Sequence, residues 1–299
     1  MEVHYPEDPL PDMGSFDLIH VTSNTFPDIL QCRPFGLPVA STYFLDVPRY
    51  ARHSWSTGRS GVFRLGQVTR FAYDCLAIDM AIFLSTVVLA ASAQTYRGVQ
   101  SHYPGIGRKL RLNELGVDTE VFRPGGSDEG YVLFVGRLET SKGIDMALDV
   151  MNEKGHPFKI VGTGTLETQL RAKAGPQVEF LGPIALGDPR LVEVYQRASL
   201  CIFPSQMEGF GLVGLESLAC GIPTVLTDVF GILPPAADLA ECIPPNDPAA
   251  LNSAIDKAFG KRSPAWSTEA HATVARQYSL EWKAAELVNI YRDMRSAGP

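Results

Sequence analysis

Two acidic residues and two glycines in one short stretch have the types and the spacing to bind a polar ligand. Glu208 and Glu216 are eight positions apart, and Gly209 and Gly211 stand between them. Glycines let backbone N–H groups approach a ligand closely, and a helix start behind them favours a negative group such as phosphate. Carboxylates repel phosphates but accept hydrogen bonds from hydroxyls. The combination suits a ligand with a diphosphate and many hydroxyls, such as a nucleotide-sugar.

The elements on either side of this stretch would place it at the edge of a sheet. Residues 199–203 are a short apolar run that predicts a buried strand, and residues 224–226 predict another. Between them, apolar residues recur at helical spacing until Gly221 and Pro223 end the helix. Residues 205–211 are therefore predicted to be a strand-to-helix loop at the carboxyl edge of a parallel sheet, where open α/β sheets bind ligands.

A second loop carries two cations. Arg137 and Lys142 are five positions apart, bounded by Gly136 and Gly143, after a predicted strand at residues 131–135. Both could neutralise a diphosphate from two sides. Taken alone, they read more naturally as exposed surface charges. Beside the acidic loop, at the carboxyl end of another strand of the same sheet, a binding role is favoured.

These residues carry a resemblance to a known family. The Glu208-x7-Glu216 spacing, within Glu-Gly-Phe-Gly-Leu…Glu-Ser-Leu-Ala-Cys-Gly-Ile-Pro, resembles the signature of retaining GT-B glycosyltransferases of the group 1 type. The Gly-Arg-Leu…Lys-Gly loop resembles the family's donor-phosphate element, and Gly162-Thr-Gly164 resembles its Gly-x-Gly, although a tight turn explains that motif equally well.

The resemblance implies a role for each matched position. Glu216 would bind the ribose hydroxyls, and Glu208 would orient the sugar or stabilise its cation-like centre. The expected catalytic residues are Glu208, Arg137 and Lys142. The donor, a nucleotide-diphosphate sugar, would be bound by Gly136, Gly162, Gly164, Gly209, Phe210, Gly211, Leu212 and Glu216. No metal ligand and no cofactor are expected, because fixed cations can replace a metal ion here.

The order of elements predicts the fold class. In the second half of the chain, strands alternate with helices, which predicts a parallel, doubly wound α/β sheet. The resemblance implies a GT-B-like protein of two Rossmann-like domains. Residues 125–130 read as a flexible linker. The predicted domains are an acceptor-side domain at 1–125, a donor-binding domain at 126–278 and a crossover helix at 279–299.

The amino-terminal part departs from the family pattern. Its first recognisable strand, residues 16–21, looks like a later strand of the family, so the first domain is expected to be incomplete. No histidine occurs at residues 41–46, where the family carries one close to the sugar. His20, Asp46 and His53 are nearby in sequence, but each is better interpreted as structural. The family's Asn-Gly-Val-Asp hinge is also interrupted, since Asn113 and Gly116 are separated.

Composition limits the partners and the location. The net charge is −7 without a basic block, which argues against nucleic acid. The five scattered cysteines form no C-x-x-C pair, and the start of the chain is polar and acidic rather than a signal peptide. A cytoplasmic protein is expected. Residues 76–93 form a long apolar stretch. A helix ending near residue 84, followed by a strand at 86–90, is favoured there over a membrane span. Peripheral membrane contact and a partner subunit stay open.

Three functions are compared. The first is transfer of a sugar from a nucleotide-diphosphate donor with retention of configuration, to an acceptor that is a saccharide, a lipid-linked group or a small molecule. The second is a donor-binding module or partner subunit with little or no catalysis, motivated by the incomplete first domain. The third, a nicotinamide-dependent oxidoreductase, is least favoured because no Gly-x-Gly-x-x-Gly with a ribose-binding acid is present.

Overall fold

The computed structural model describes residues 16–22, 36–43, 76 and 80–296. The chain forms two compact units. One comprises residues 1–113 and 285–299, and the other comprises residues 114–284.

Among the described residues of the first unit, four strands form a parallel sheet in the order β1-β2-β3-β4. Helix α1, Ala93–His102, follows β3, begins at the Ser92 cap and packs its Val99 against one face of the sheet. Residues from the end of the chain, among them Met294, pack on the other face against Ala40 and Leu89. The strands are β1 Ile19–Val21, β2 Val39–Tyr43, β3 Val87–Ala90 and β4 Leu110–Leu112.

The second unit is a six-stranded parallel sheet with helices on both faces. Its order is β10-β9-β8-β5-β6-β7, which is the Rossmann order read from β7. The order reverses between β5 and β8, so the ligand crevice of such a sheet is expected at their carboxyl ends. The strands are β5 Tyr131–Val135, β6 Phe158–Val161, β7 Val178–Gly182, β8 Ala198–Phe203, β9 Thr224–Thr227 and β10 Glu241–Ile243.

Three helices of this unit begin at a residue whose side chain caps the first turn. Asp188, Asp247 and Ser263 each accept a backbone N–H with their side chain, and each precedes a proline in the first turn. Apolar clusters fill both faces of the sheet. The helices are α2 Ile144–Lys154, α3 Glu167–Lys173, α4 Pro189–Arg197, α5 Leu212–Ala219, α6 Pro248–Ala258, α7 Pro264–Tyr278 and α8 Leu280–Ser296.

The alternation predicted for residues 131–243 is confirmed strand by strand. Helices α1 and α7 were not predicted. The helix predicted to end near residue 84 is confirmed at its end, since residues 80–84 are helical up to Leu84, whereas residues 77–79 lie outside the described residues. Strand β3 follows at Val87–Ala90, as expected. Within the described ranges, no helix combines the length and the apolar character needed to cross a membrane.

The predicted domain limits, 125/126 and 278/279, stay predictions. The two compact units divide at 113/114 and 284/285. Residues 114–124 belong with the second unit because Val117 and Phe122 are buried in its core, where the Phe122 ring meets Tyr195 edge-on. Helix α8 contributes residues to both units.

Candidate functional site

The site is formed by two loops that leave adjacent strands. The β5 loop, residues 136–143, follows β5, and the β8 loop, residues 204–211, follows β8; the two strands pair in parallel. Their carboxyl ends therefore lie at the same edge of the sheet. The Gln206 N–H donates to the Ser141 carbonyl at 2.9 Å, which joins the loops through their backbones.

An ion pair joins the same two loops through their side chains. The Lys142 ammonium lies 2.6 Å from the Glu208 carboxylate, and these side chains are 19% and 15% exposed. The Ser205 hydroxyl also donates to Glu208, at 3.4 Å. Residues predicted from separate motifs are thus partners in space. The pair offers a ligand one cation for an anionic group and one carboxylate for hydroxyls.

Close backbone approach explains a glycine at position 143. Its φ is +66°, and a Cβ there would lie 2.1 Å from the Pro204 carbonyl oxygen. No side chain fits between the loops at this point. A Cβ at Gly162 or Gly164, after β6, would lie 1.9 Å from the Gly136 carbonyl oxygen or 2.4 Å from the Leu138 carbonyl oxygen. Glycines at these three positions therefore allow three loops to meet at one edge, and Gly162 and Gly164 are two of the residues predicted to bind a donor.

Helix α5 begins directly behind the β8 loop. Gly211 is its N-cap, with a φ of 93°, and no side chain caps the first turn. Phe230 lies where a Cβ of residue 211 would be, at 2.2 Å, so only glycine fits. The first N–H groups of a helix attract anions when no side chain satisfies them. Gly209 and the partly exposed Leu212 lie on either side of the buried Phe210.

Glu216 lies inside the protein, within α5. It is buried and accepts a hydrogen bond from the Tyr195 hydroxyl at 2.8 Å. Burial raises the pKa of Glu216, and the hydrogen bond from Tyr195 opposes that rise. Among the described residues, no hydrogen bond or ion pair joins Glu216 to Lys142 or Glu208. Its role toward ribose stays a prediction.

Arg137 is on the β5 loop, but its side chain pairs with Glu139 rather than with Glu208. Its side chain is 68% exposed and pairs with Glu139 at 2.8 Å. An exposed pair of this kind is weak. Within the described part of the chain, no hydrogen bond or ion pair joins Arg137 to Lys142 or Glu208. Its role toward a diphosphate also stays a prediction.

Sequence reasoning missed the partners of these residues. Tyr195 holds Glu216, Glu139 holds Arg137, and Ser205 contacts Glu208. Ser205 could have been noticed, since it stands three positions before Glu208 in the same loop. Tyr195 gave no local signal, because it is separated from Glu216 by 21 positions and lies on another helix.

His20, in the first unit, has a structural setting. His20 Nδ1 lies 2.5 Å from the Tyr291 hydroxyl, and Nε2 lies 2.6 Å from the Thr42 hydroxyl. Burial lowers the pKa of His20. Both ring nitrogens are therefore occupied within this unit. Asp46 and His53 lie outside the described residues.

No candidate metal centre accompanies these loops. Across residues 16–22, 36–43, 76 and 80–296, no three His, Cys, Asp or Glu side chains are grouped so as to hold an ion. The charged groups at the site are the side chains described above.

The part of the chain that carries this site is similar to known proteins. The family model described as Glycosyl transferases group 1 matches residues 129–260. The D-inositol 3-phosphate glycosyltransferase of Acidothermus cellulolyticus is 32% identical over 217 residues, which are 62% of this chain and 48% of that protein. The protein of the same name from Frankia alni is 25% identical over 304 residues, 91% of this chain and 72% of that protein. The chain thus spans about half the length of the first of these relatives.

Solved structures share the fold. Sucrose-phosphate synthase from Thermosynechococcus elongatus superposes with a TM-score of 0.72 at 22% identity, covering 94% of this chain and 74% of its own. Anabaena HepE, solved in complex with UDP and glucose, gives a TM-score of 0.72 at 16% identity, covering 93% and 78%. HepE has also been solved in complex with UDP-glucose. At these identities the likeness concerns the fold, and it confirms the predicted α/β, GT-B-like class.

Proposed function

Because residues 129–260 are a Glycosyl transferases group 1 domain, we propose that the chain transfers a sugar from a nucleotide-diphosphate donor to an acceptor, with retention of configuration. The observation that carries the proposal is the Lys142–Glu208 pair, which joins the loops after β5 and β8 at the point where the strand order reverses. This edge is where open α/β sheets bind nucleotides.

The cations would stabilise the leaving group. Breaking the bond between sugar and phosphate places negative charge on the departing diphosphate. Lys142, Arg137 and the uncapped start of α5 supply positive charge on the side that the diphosphate would occupy. Fixed charges of this kind need no metal ion, and we propose none.

The carboxylates would hold the rest of the donor. Once a diphosphate engages Lys142, the Glu208 carboxylate is free to accept hydrogen bonds from sugar hydroxyls or to stabilise the cation-like sugar centre. Glu216 would accept the ribose hydroxyls, with Tyr195 holding one of its oxygens. A leaving phosphate oxygen would take the proton of the acceptor hydroxyl on the same face, which gives retention without a protein nucleophile.

The relatives indicate which ligands to test first. HepE binds UDP and UDP-glucose, so uridine donors come first, followed by guanosine and adenosine donors. The D-inositol 3-phosphate glycosyltransferases suggest an inositol phosphate acceptor beside saccharides and lipid-linked groups. The test incubates the purified chain with each donor, with and without acceptor. It measures nucleoside diphosphate release, and the anomeric configuration of the product by NMR. Turnover with retention supports the proposal, and binding without turnover supports the donor-binding module instead.

Substitutions of Glu208 and Glu216 are expected to affect different kinetic parameters. Glu208→Gln should mainly lower kcat, because Glu208 acts at the sugar. Glu216→Gln should mainly weaken binding of the nucleoside, because Glu216 acts at ribose. Steady-state kinetics and calorimetry with the nucleoside diphosphate separate the two effects. The reverse order would contradict the assigned roles.

A further inference from the structure

A buried ion pair lies at the edge of the second unit, where the chain enters and leaves it. The Lys283 ammonium is 3.3 Å from the Glu114 carboxylate, and each residue is only 8% exposed. Glu114 stands between Asn113 and Gly116, where the family's hinge pattern is interrupted. Removing one member of a buried pair leaves an uncompensated charge, so the remaining partner must move toward water.

Tyr278 connects this pair to the interior. Its hydroxyl donates to Glu114 at 3.3 Å and accepts from the Leu233 N–H at 2.8 Å. The Lys283 ammonium also lies 5.1 Å from the centre of its ring. Tyr278 is fully buried. A shift of Glu114 or Lys283 is therefore transmitted to a side chain that has no free space around it.

Two routes lead from Tyr278 to the β8 loop. Its ring meets the Phe210 ring edge-on, with centroids 5.8 Å apart. Its hydroxyl holds Leu233, at the end of a segment whose Gly231 N–H donates to the Phe210 carbonyl at 2.9 Å. Phe210 is two positions from Glu208. The loop that carries the proposed catalytic carboxylate is thus held from behind by Tyr278.

The backbone around the pair is tightly joined. The Val117 N–H donates to the Tyr278 carbonyl at 2.8 Å, and the Leu280 N–H donates to the Val117 carbonyl at 3.1 Å. A Cβ at Gly116 would meet the Tyr278 carbonyl at 3.1 Å and Lys283 at 3.2 Å. This close packing prevents Glu114 and Lys283 from moving independently of Tyr278.

We propose that Glu114 and Lys283 are positioning residues, which act through Tyr278 and Phe210 to hold the β8 loop in its catalytic geometry. They touch neither donor nor acceptor. The consequence for catalysis rests on the proposed function, whereas the consequence for loop geometry does not.

The test replaces Lys283 with methionine and observes Phe210 directly. With 4-fluorophenylalanine at position 210, the ¹⁹F resonance should shift or broaden in Lys283→Met. Donor turnover should fall by roughly ten- to a hundredfold, since a displacement of ~1 Å at an active site can cost about a hundredfold. The affinity for nucleoside diphosphate should fall less than turnover, because Arg137 and Lys142 are on the β5 loop and only the start of α5 follows the displaced β8 loop. Lys283→Arg, which keeps the charge, should recover most of the turnover.

The matched control is Lys154→Met. Lys154 is also a mostly buried lysine, and it pairs with Asp256 at 2.5 Å, between α2 and α6. Its removal should leave the Phe210 resonance unchanged. If Lys283→Met does not fold, Glu114→Gln and Tyr278→Phe serve the same purpose, the latter keeping the ring contact while deleting the hydroxyl.

The outcomes separate the two proposals. An unshifted resonance together with unchanged kcat in the folded variants would overturn the positioning role. A wild-type chain without turnover would count against the proposed function, and the ¹⁹F signal would still decide whether Glu114 and Lys283 hold the loop.

Discussion

Lys142 and Glu208 are paired but remain within reach of a ligand. Their charged atoms are 2.6 Å apart, while each side chain keeps some exposure. A partly exposed pair gains only modest energy from its own attraction. Under the proposed function, an arriving diphosphate would offer Lys142 an anion of higher charge, and the sugar hydroxyls would offer Glu208 new donors. The pair could then open on binding without leaving either charge unsatisfied.

Lys142→Met should weaken binding of nucleoside diphosphate. Loss of a hydrogen bond to a charged group costs about 1.5–3 kcal/mol, which corresponds to roughly a ten- to a hundredfold increase in Kd. Arg137→Ala should have a smaller effect, because its guanidinium is exposed and already pairs with Glu139. Isothermal calorimetry measures both. Arg190→Ala is the control, since this exposed arginine pairs with Asp188 on α4; an equal loss there would contradict a specific site.

Glu216 should make stability depend on pH. Burial raises its pKa in the folded protein, whereas the unfolded chain keeps the ordinary value. Between the two pKa values the folded state holds a proton that the unfolded state has released. The free energy of unfolding contributed by this group therefore falls as pH rises through that window.

We expect Glu216→Gln to flatten this pH dependence. Gln keeps an oxygen that can accept from Tyr195 but cannot ionise. Urea unfolding from about pH 5 to about pH 8 should show a smaller loss of stability for the variant than for the wild type. Glu193→Gln, at an exposed position of α4, provides the comparison. If the two variants behave alike, ionisation of Glu216 is not the cause.

The glycines at the two ends of helix α2 allow a direct comparison of backbone strain with steric crowding. Gly143 caps its start with a φ of +66°, and Gly155 caps its end with a φ of +69°. A Cβ at residue 143 would lie 2.1 Å from the Pro204 carbonyl oxygen, whereas a Cβ at residue 155 would meet nothing within 4 Å. The two glycines share a left-handed backbone conformation, but only Gly143 lacks the space for a side chain.

Gly155→Ala should cost only the left-handed strain, roughly 1–2 kcal/mol. Gly143→Ala should cost roughly 1–3 kcal/mol more, because the β5 and β8 loops must move apart. Chemical denaturation gives both values. Equal destabilisation of the two variants would show that the contact with Pro204 is not restrictive.

Strands of the second unit could be predicted because each is a short apolar run with turn residues at both ends. Helix α7 was not predicted because its apolar stripe is narrow. Its buried apolar residues are Ala270, Val274 and Tyr278, and polar residues surround them. Helix α1 buries only Thr95 and Val99. In both helices the apolar periodicity is weak, and the caps at Ser92 and Ser263 were the stronger local signal.

The candidate site was predictable only in its parts. Glycines and charged residues at strand ends, which are local features of the sequence, identify the loops at 136–143 and 204–211. The pairing of Lys142 with Glu208 spans 66 positions, and that of Tyr278 with Glu114 spans 164. Such partners depend on strand order and packing, which a single sequence does not display.

The second unit should be stable without the first. Its sheet is complete in residues 114–284, and both of its apolar clusters are drawn from these residues. It also contains the β5 and β8 loops. A fragment of residues 114–284 is therefore expected to unfold cooperatively and, under the proposed function, to bind nucleoside diphosphate with the same affinity as the full chain.

Differential scanning calorimetry with and without ligand tests this expectation, since a ligand that binds only the folded state raises the Tm. The full chain is the reference. A fragment that melts without cooperativity, or binds much more weakly, would show that residues outside 114–284 complete the nucleotide site.

The last helix determines where the chain can be divided into independent parts. Residues 285–299 belong to the first unit, where Met294 covers Ala40 and Leu89, although more than 170 residues of the other unit intervene. Truncation after Ala284 would leave that sheet face bare, and a product ending at Asn113 would be prone to aggregate through it. Exchanging parts between this chain and a relative therefore requires that the carboxyl-terminal segment be transferred together with the amino-terminal part, as a two-piece graft.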